Sequence, residues 1–220
     1  MMDTNTMFRP LADDEIVAGS PAQADEWRPI TPVPADAPPL TTAIINRNAP
    51  AGFTFTAGWR YNDTAVNLLG CVVRYDKPAN GSPAEKQVKP FTFCEGPNGV
   101  HEWRNKSWPA PRPLYGLDRL AARPDAPVLV VEGEKAADAA AERFPDYVVI
   151  TSPGGSNAAG KADWSPLKGR TVSIWPDHDD PGRKYAEAVI RLATEAGAAS
   201  VSIIQVPTGF PKGWDLADPI

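Results

Sequence analysis

At 220 residues, with 22 basic against 27 acidic side chains and a net charge of −5, the chain holds enough material for one large domain or two small ones. No apolar stretch approaches the roughly 20 residues of a membrane span, and the N-terminus lacks a hydrophobic signal region, which excludes a helical membrane protein and leads us to expect a soluble, cytoplasmic one. Cys71 and Cys94 form no C-x-x-C pair and have only His101 and His178 to help them, so a zinc ribbon is excluded and no zinc is expected.

In chain order, residues 1–27 carry one basic and six acidic side chains without periodicity, which predicts a flexible acidic tail. Prolines at 29, 32, 34, 38 and 39 enforce an extended strap from Trp27 to Pro39. The runs Gly58 to Tyr61, Val66 to Tyr75, Val88 to Cys94 and Val100 to Trp103 are separated by Asn62-Asp63, by the Pro/Gly/Ser stretch 78–84 and by Gly96-Pro97-Asn98-Gly99. That spacing predicts an antiparallel meander, so residues 28–124 are expected to form a strap and a small β-rich subdomain. Trp59, Tyr61, Phe91, Phe93, Trp103 and Trp108 are either the core of this sheet, the favoured alternative, or a platform for stacking bases. Arg60, Arg74 and Arg104 stand among these aromatics and are candidate phosphate contacts. Pro109 to Pro113 reads as a rigid connector and Leu117 to Ala122 as a short helix. With twelve basic and seven acidic residues, 28–124 offers a mildly basic surface that suits a phosphate backbone, although a solvated basic face explains it equally well.

Residues 125–220, with nine basic and fourteen acidic side chains, change character. The run Val128 to Val131 ends in Glu132-Gly133-Glu134-Lys135 and continues into the alanine-rich Ala136 to Phe144, which reads as strand, tight turn and helix. Tyr147 to Thr151 is a second strand. It leads into Ser152-Pro153-Gly154-Gly155-Ser156-Asn157, where the absence of β-carbons at Gly154 and Gly155 lets backbone amides approach a phosphate. A third strand, Thr171 to Trp175, breaks into Pro176-Asp177-His178-Asp179-Asp180-Pro181-Gly182. Asp180 is the expected N-cap, Pro181 the first helical residue and Gly197 the stop of a helix running to about Ala196. Val201 to Gln205 supplies a fourth strand. The order β-α-β-loop-β-α-β predicts a compact parallel α/β unit. Such sheets gather ligands at the C-terminal ends of their strands, so Glu132 and the Asp177/Asp179 pair are expected to share one site. Clustered carboxylates there suit Mg²⁺, which takes a few hard oxygens and keeps waters for substrate phosphates.

Gly155-Ser156-Asn157-Ala158-Ala159-Gly160-Lys161 also fits the G-x-x-x-x-G-K of a P-loop. Ala162 stands where that motif needs a hydroxyl, and Pro166 cuts short the helix that should follow, so the P-loop is the weaker reading.

A glutamate after the first strand (Glu132), a glycine-rich loop after the second (Gly154, Gly155) and D-x-D after the third (Asp177, Asp179), with Gly182 opening the next helix, together resemble the Toprim domain. The segment Asp76 to Arg123, with Trp103 and Pro113-Leu114-Tyr115-Gly116-Leu117, is similar to the primase-type Toprim proteins of phages, plasmids and integrated elements. The fold class this implies is an α/β Toprim domain over 125–220, a compact parallel Rossmann-like sheet, preceded by the antiparallel β-rich subdomain. The resemblance implies a DNA primase that makes oligonucleotide primers on a single-stranded DNA template from nucleoside triphosphates, with Mg²⁺ or Mn²⁺ as cofactor. Glu132, Asp177 and Asp179 would then be both catalytic residues and metal ligands. Lys135, Arg183 and Lys184, at the starts of the two helices, are either phosphate contacts or solvated surface charges, and with Lys212, Gly154, Gly155 and the three arginines they are the candidate nucleotide or DNA contacts. Lys212-Gly213-Trp214-Asp215 resembles the lysine-and-acid segment that follows the core in such proteins, where Asp215 is either an outer-shell acid or a turn residue. Members often continue into a helicase, and the ending at Asp218-Pro219-Ile220 is expected to be an edge within a longer protein. A Toprim nuclease and a noncatalytic DNA- or partner-binding module of a larger primase-helicase remain the alternatives.

Overall fold

The computed structural model describes residues 27–79, 84–206 and 209–218. The predicted acidic tail lies outside the described residues except for Trp27, and so do residues 80–83 of the predicted turn.

The first half is an antiparallel sheet of β1 (Arg28–Pro29), β2 (Thr54–Asn62), β3 (Leu68–Lys77), β4 (Glu85–Glu95) and β5 (His101–Arg104). Its order is β1-β4-β3-β2, with β5 also paired to β4, so β2 to β5 are the expected meander. Asp63 shapes the β2–β3 turn by accepting the amides of Ala65 and Asn67, each at 2.8 Å, an Asx-type arrangement that favours asparagine or aspartate there. The proline strap is tied across this sheet: Ile30 N–H donates to Phe93 O at 2.8 Å, Val33 N–H to Leu68 O at 2.7 Å, and the Trp103 indole to Pro38 O at 2.7 Å. A helix that the sequence did not announce, α1 (Thr42–Arg47), follows the strap, and Tyr75 donates its hydroxyl to Ile45 O at 2.7 Å. Ile45, Val73, Tyr75, Phe91, Phe93 and Trp103 pack as one core beneath it.

Period-two alternation sends Trp59 and Tyr61 to one face of β2 and Arg60 to the other. All six aromatics singled out in the sequence are at most 8% exposed, so they are core and present no open stacking platform. Cys94 is buried and Cys71 half-buried.

The second half contains α2 (Leu117–Ala122), β6 (Val128–Val131), α3 (Glu134–Arg143), β7 (Val148–Ile150), β8 (Thr171–Trp175), α4 (Asp180–Glu195) and β9 (Ser200–Ile203). The four strands run parallel in the order β7-β6-β8-β9. The fold is therefore α/β, with a parallel, Toprim-like C-terminal sheet preceded by an antiparallel β-rich subdomain. Each side chain of β6 is at most 1% exposed, because its two faces are covered separately. Val128 and Val130 pack with Val172, Ile174, Tyr185 and Val189 on the α4 side. Leu129 and Val131 pack with Ala136, Ala137 and Ala140 of α3 and with Trp59, Tyr61 and Trp108 of the first half. Full burial of such side chains stabilises by about 1.5–3 kcal/mol each, so this shared cluster joins the two halves as a core does.

Two expectations are corrected, and the weaker P-loop reading is set aside. The N-cap of α4 is Asp179, whose Oδ1 accepts Gly182 N–H at 2.7 Å, while Asp180 is the first helical residue and Pro181 lies inside the first turn. The fourth strand ends at Ile203, before Gln205. Residues 156–161 form a short 3-10 turn, so no long helix follows the G-x-x-x-x-G-K segment and the P-loop is ruled out. No helix among the described residues is long and apolar enough to cross a membrane.

Candidate metal and nucleotide site

The C-terminal ends of β6 and β8 open into a cavity of about 290 Å³ between the two halves. Glu132 and Asp177 reach it from the parallel sheet, and Asp215 joins them from the irregular segment that returns after β9. That return is pinned to the loop after β8, since His178 N–H donates to Trp214 O and Gly213 N–H donates to His178 O, both at 3.0 Å. Trp214 is buried against Trp175 and Phe210, which fixes the residue next to Asp215. Gly154 and Gly155 line the same cavity with φ of +96° and +68°, conformations that glycine adopts without steric cost. The loops after β6 and β7 are fastened to each other by Gly133 N–H donating to the Thr151 hydroxyl at 3.0 Å.

The facing wall comes from the antiparallel sheet: Trp59 on β2, Arg74 on β3, and Lys86 and Val88 on β4. Lys135, exposed in the first turn of α3, adds a third cation. The Arg74 guanidinium is held by Asp76, with Nε at 2.9 and 3.0 Å from its two oxygens and Nη2 at 2.8 Å. These hydrogen bonds hold the Asp76 carboxyl below its ordinary range.

Asp177 carries the strongest electrostatic signature here. Burial first, and then the charges of Glu132, Asp215 and Asp179, push its carboxyl up to about 8, with Lys86 opposing them. Like charges gathered in a partly desolvated site disfavour ionisation, and a bound divalent cation would reverse that balance. An all-carboxylate donor set fits a hard cation such as Mg²⁺ or Mn²⁺. Among the described residues, no three His, Cys, Asp or Glu side chains stand close enough to form a ready-made cage.

Asp179 is placed differently from its partners. One oxygen caps α4, and the residue lines an adjoining open groove of about 620 Å³ together with His178, Arg183 and Lys212. Asp177 borders both spaces. Gly182 is required where α4 begins, because a Cβ there would meet the backbone of Asp177, 2.8 Å from its nitrogen. Arg183 pairs with Asp180 at 3.1 Å, and Lys184 is exposed on α4.

The three arginines chosen from the sequence separate. Arg74 lies at the cavity. Arg60 lines an apolar groove of about 520 Å³ under the proline strap, on the other face of β2. Arg104 stacks on Trp27, 4.4 Å from the ring centroid, and pairs with Glu102 at 2.6 Å. Lys86 was not singled out in the sequence, because it sits among other charged residues before the apolar half of β4, and only the strand register with β3 brings it over Asp177.

A family model described as a domain of unknown function, DUF6371, matches residues 56–178, more than half of the chain. The chain belongs to the DUF6371 family. The matched DUF6371 segment runs from β2 through the loop after β8 and so contains Glu132, the glycine-rich loop and Asp177, while Asp179 and Asp215 lie beyond its end. No curated protein matches the chain. Solved structures similar to this DUF6371 protein include the zinc-binding and RNA polymerase domains of the Aquifex aeolicus primase, at 20% identity and a TM-score of 0.44, covering 72% of this chain and 34% of that one. The E. coli primase catalytic core is similar at 16% identity and 0.42, covering 76% and 47%. The primase fragment of the bacteriophage T7 primase-helicase protein is similar at 16% identity and 0.41, covering 71% and 58%. The chain thus spans less than two thirds of each of these.

Proposed function

We propose that this chain is the catalytic region of a DNA primase, a metal-dependent nucleotidyltransferase that builds oligonucleotide primers on single-stranded DNA from nucleoside triphosphates. The observation that carries the proposal is one cavity with Glu132, Asp177 and Asp215 on one wall, Arg74 and Lys86 on the facing one, and Lys135 at the start of α3. Nucleotidyl transfer needs that pairing: carboxylates to hold a cation, and cations of the chain to neutralise phosphates. The sequence resemblance to primase-type Toprim proteins rests on Glu132, the glycine loop and the D-x-D segment and points the same way.

Glu132, Asp177 and Asp215 would hold Mg²⁺ or Mn²⁺, in part through water, which Mg²⁺ retains readily. The bound cation would neutralise phosphate charge and lower the pKa of an attacking hydroxyl. Asp179 contributes its charge to the same field while its Oδ1 keeps the start of α4 in place. Arg74, Lys86 and Lys135 would help neutralise the phosphates that lie in the cavity. Glu132 accepts the proton as a 3′-hydroxyl oxygen bonds to the α-phosphorus of the incoming nucleotide and pyrophosphate leaves with the electrons of the broken P–O bond. Arg183 and Lys212, at the adjoining groove, and Lys184, at the start of α4, would contact the template strand. A replicative helicase, in the same chain or another, is the partner that this role calls for.

The test is an incubation of labelled single-stranded DNA with all ribo- and deoxynucleotides and Mg²⁺ or Mn²⁺, comparing the wild type with Glu132→Gln and Asp177→Asn. New oligonucleotides made by the wild type alone are expected. Shortening of the DNA without added nucleotides would instead assign the same acids to a nuclease, and products identical in all three proteins would refute any role for these carboxylates.

A further inference from the structure

Arg112 lies in the connector between β5 and α2 and is pinned on both sides of its backbone. Its N–H donates to Lys161 O at 2.7 Å and its carbonyl accepts Asp163 N–H at 2.8 Å. This holds it against the loop that follows β7, where its Nη1 would stand 3.5 Å from a Cβ placed on Gly154. The residue is half-buried, and its Nε is buried without a hydrogen-bond partner. The other half-buried arginines all have acceptors: Arg74 has Asp76, Arg119 the carbonyl of Val149, Arg143 that of Asp218, and Arg170 those of Leu120, Arg123 and Ala126. Among the described residues the Arg112 side chain has neither a carboxylate nor a carbonyl. A guanidinium partly withdrawn from water without an acceptor is costly, and its planar fork matches two oxygens of one phosphate.

The loop beside it is suited to the same ligand. A side chain on Gly154 would press on Ala158, 2.9 Å away, and would be strained at a φ of +96°, while Arg112 Nη1 stands at ordinary contact distance from that position, so glycine leaves the backbone beside the guanidinium uncovered. Gly154 and Gly155 border that cavity directly, and the Arg112 guanidinium lies beside Gly154.

We propose that Arg112 and the Gly154-Gly155 loop form a phosphate subsite at the edge of the acid cavity, taking the terminal phosphates of a nucleoside triphosphate. This rests on the cavity being a nucleotidyltransferase site. The α-phosphate belongs beside the carboxylates and their cation, and a triphosphate is the short, highly charged chain that reaches from there along the glycine loop to the guanidinium.

Calorimetric titration of the full chain with inorganic tripolyphosphate, without divalent cations, tests the subsite apart from catalysis. The wild type and Asp177→Asn are expected to bind, Arg112→Gln to bind at least tenfold more weakly, and Arg112→Lys to fall between them, since it keeps the charge and loses the fork. Equal binding by the wild type and Arg112→Gln, or none by the wild type, would overturn the proposal. A short oligodeoxynucleotide lacking terminal phosphates that competes as well as tripolyphosphate would overturn the assignment to a triphosphate. To guard against misfolding of the variants, phenylglyoxal modification of the wild type is mapped by mass spectrometry, with tripolyphosphate expected to shield Arg112 and an unshielded Arg112 refuting the subsite. Arg112-dependent binding without primer synthesis would sink the primase assignment and leave the subsite standing.

Discussion

Asp177 holds its proton up to about pH 8 in the folded protein, against an ordinary 3.8, because it is buried beside Glu132, Asp215 and Asp179. An unfolded aspartate releases its proton near 4, so between those values the folded chain binds more protons than the unfolded one, and stability falls as pH rises through that window. For a part-exposed, solvent-screened group the loss is on the order of 3 kcal/mol. Urea unfolding of metal-free protein should therefore show declining stability from pH 4 to 8, and Asp177→Asn should flatten that decline while removing the stabilisation conferred by Mn²⁺. Asp179 separates charge from capping: Asp179→Ala should cost about 1 kcal/mol, whereas Asp179→Asn, which still accepts Gly182 N–H, should unfold close to the wild type. Equal destabilisation by both variants, read by chemical denaturation, would show that the cap contributes nothing.

Helix α3 fixes the two walls of the cavity relative to each other. Glu134 and Asp138, four residues apart on one face, meet Tyr61 and Trp59, two residues apart on β2. The Tyr61 hydroxyl donates to Glu134 Oε1 at 2.7 Å, and Asp138 accepts from the Trp59 indole and the Tyr115 hydroxyl, both at 2.8 Å. Glu134 is only 6% exposed, and burial, its largest influence, raises its pKa. Tyr61→Phe keeps the ring packed near Trp108 and removes the hydroxyl donor from this buried carboxyl, so it should destabilise by about 1–3 kcal/mol and speed hydrogen exchange in β2 and α3. Unchanged exchange would contradict the brace. None of this was legible in the sequence, where Glu134 and Asp138 look like solvated helix charges and only the docking of β2 makes them interior. The elements with strong local signals were legible: Leu117–Ala122, β6, and the break from β8 into the acidic turn follow from apolar runs ending in turn residues. The helix α1 was hidden behind the proline strap. The capping role of Asp179 was not legible either, since i, i+2 spacing alone does not show which carboxylate the helix amides will claim. Asp215 sits in irregular chain after β9, where no periodicity points to a site.

Across the whole molecule, the acids belong to one sheet and the facing cations largely to the other, and a single apolar cluster holds the two together. Because Leu129 and Val131 share that cluster with Trp59, Tyr61 and Trp108, the protein should unfold in one calorimetric transition. A fragment beginning at residue 125 should expose this face and fail to fold. Two separate transitions, or a stably folded fragment, would mean that the halves are independent. The most direct measurement of the central claim is Mn²⁺ binding followed by electron paramagnetic resonance on the wild type, Glu132→Gln, Asp177→Asn, Asp215→Asn and Asp179→Asn. The account predicts that each of the first three variants weakens binding at least tenfold and that Asp179→Asn weakens it less. Absence of Mn²⁺ binding in the wild type, or affinities that ignore Asp177, would contradict it.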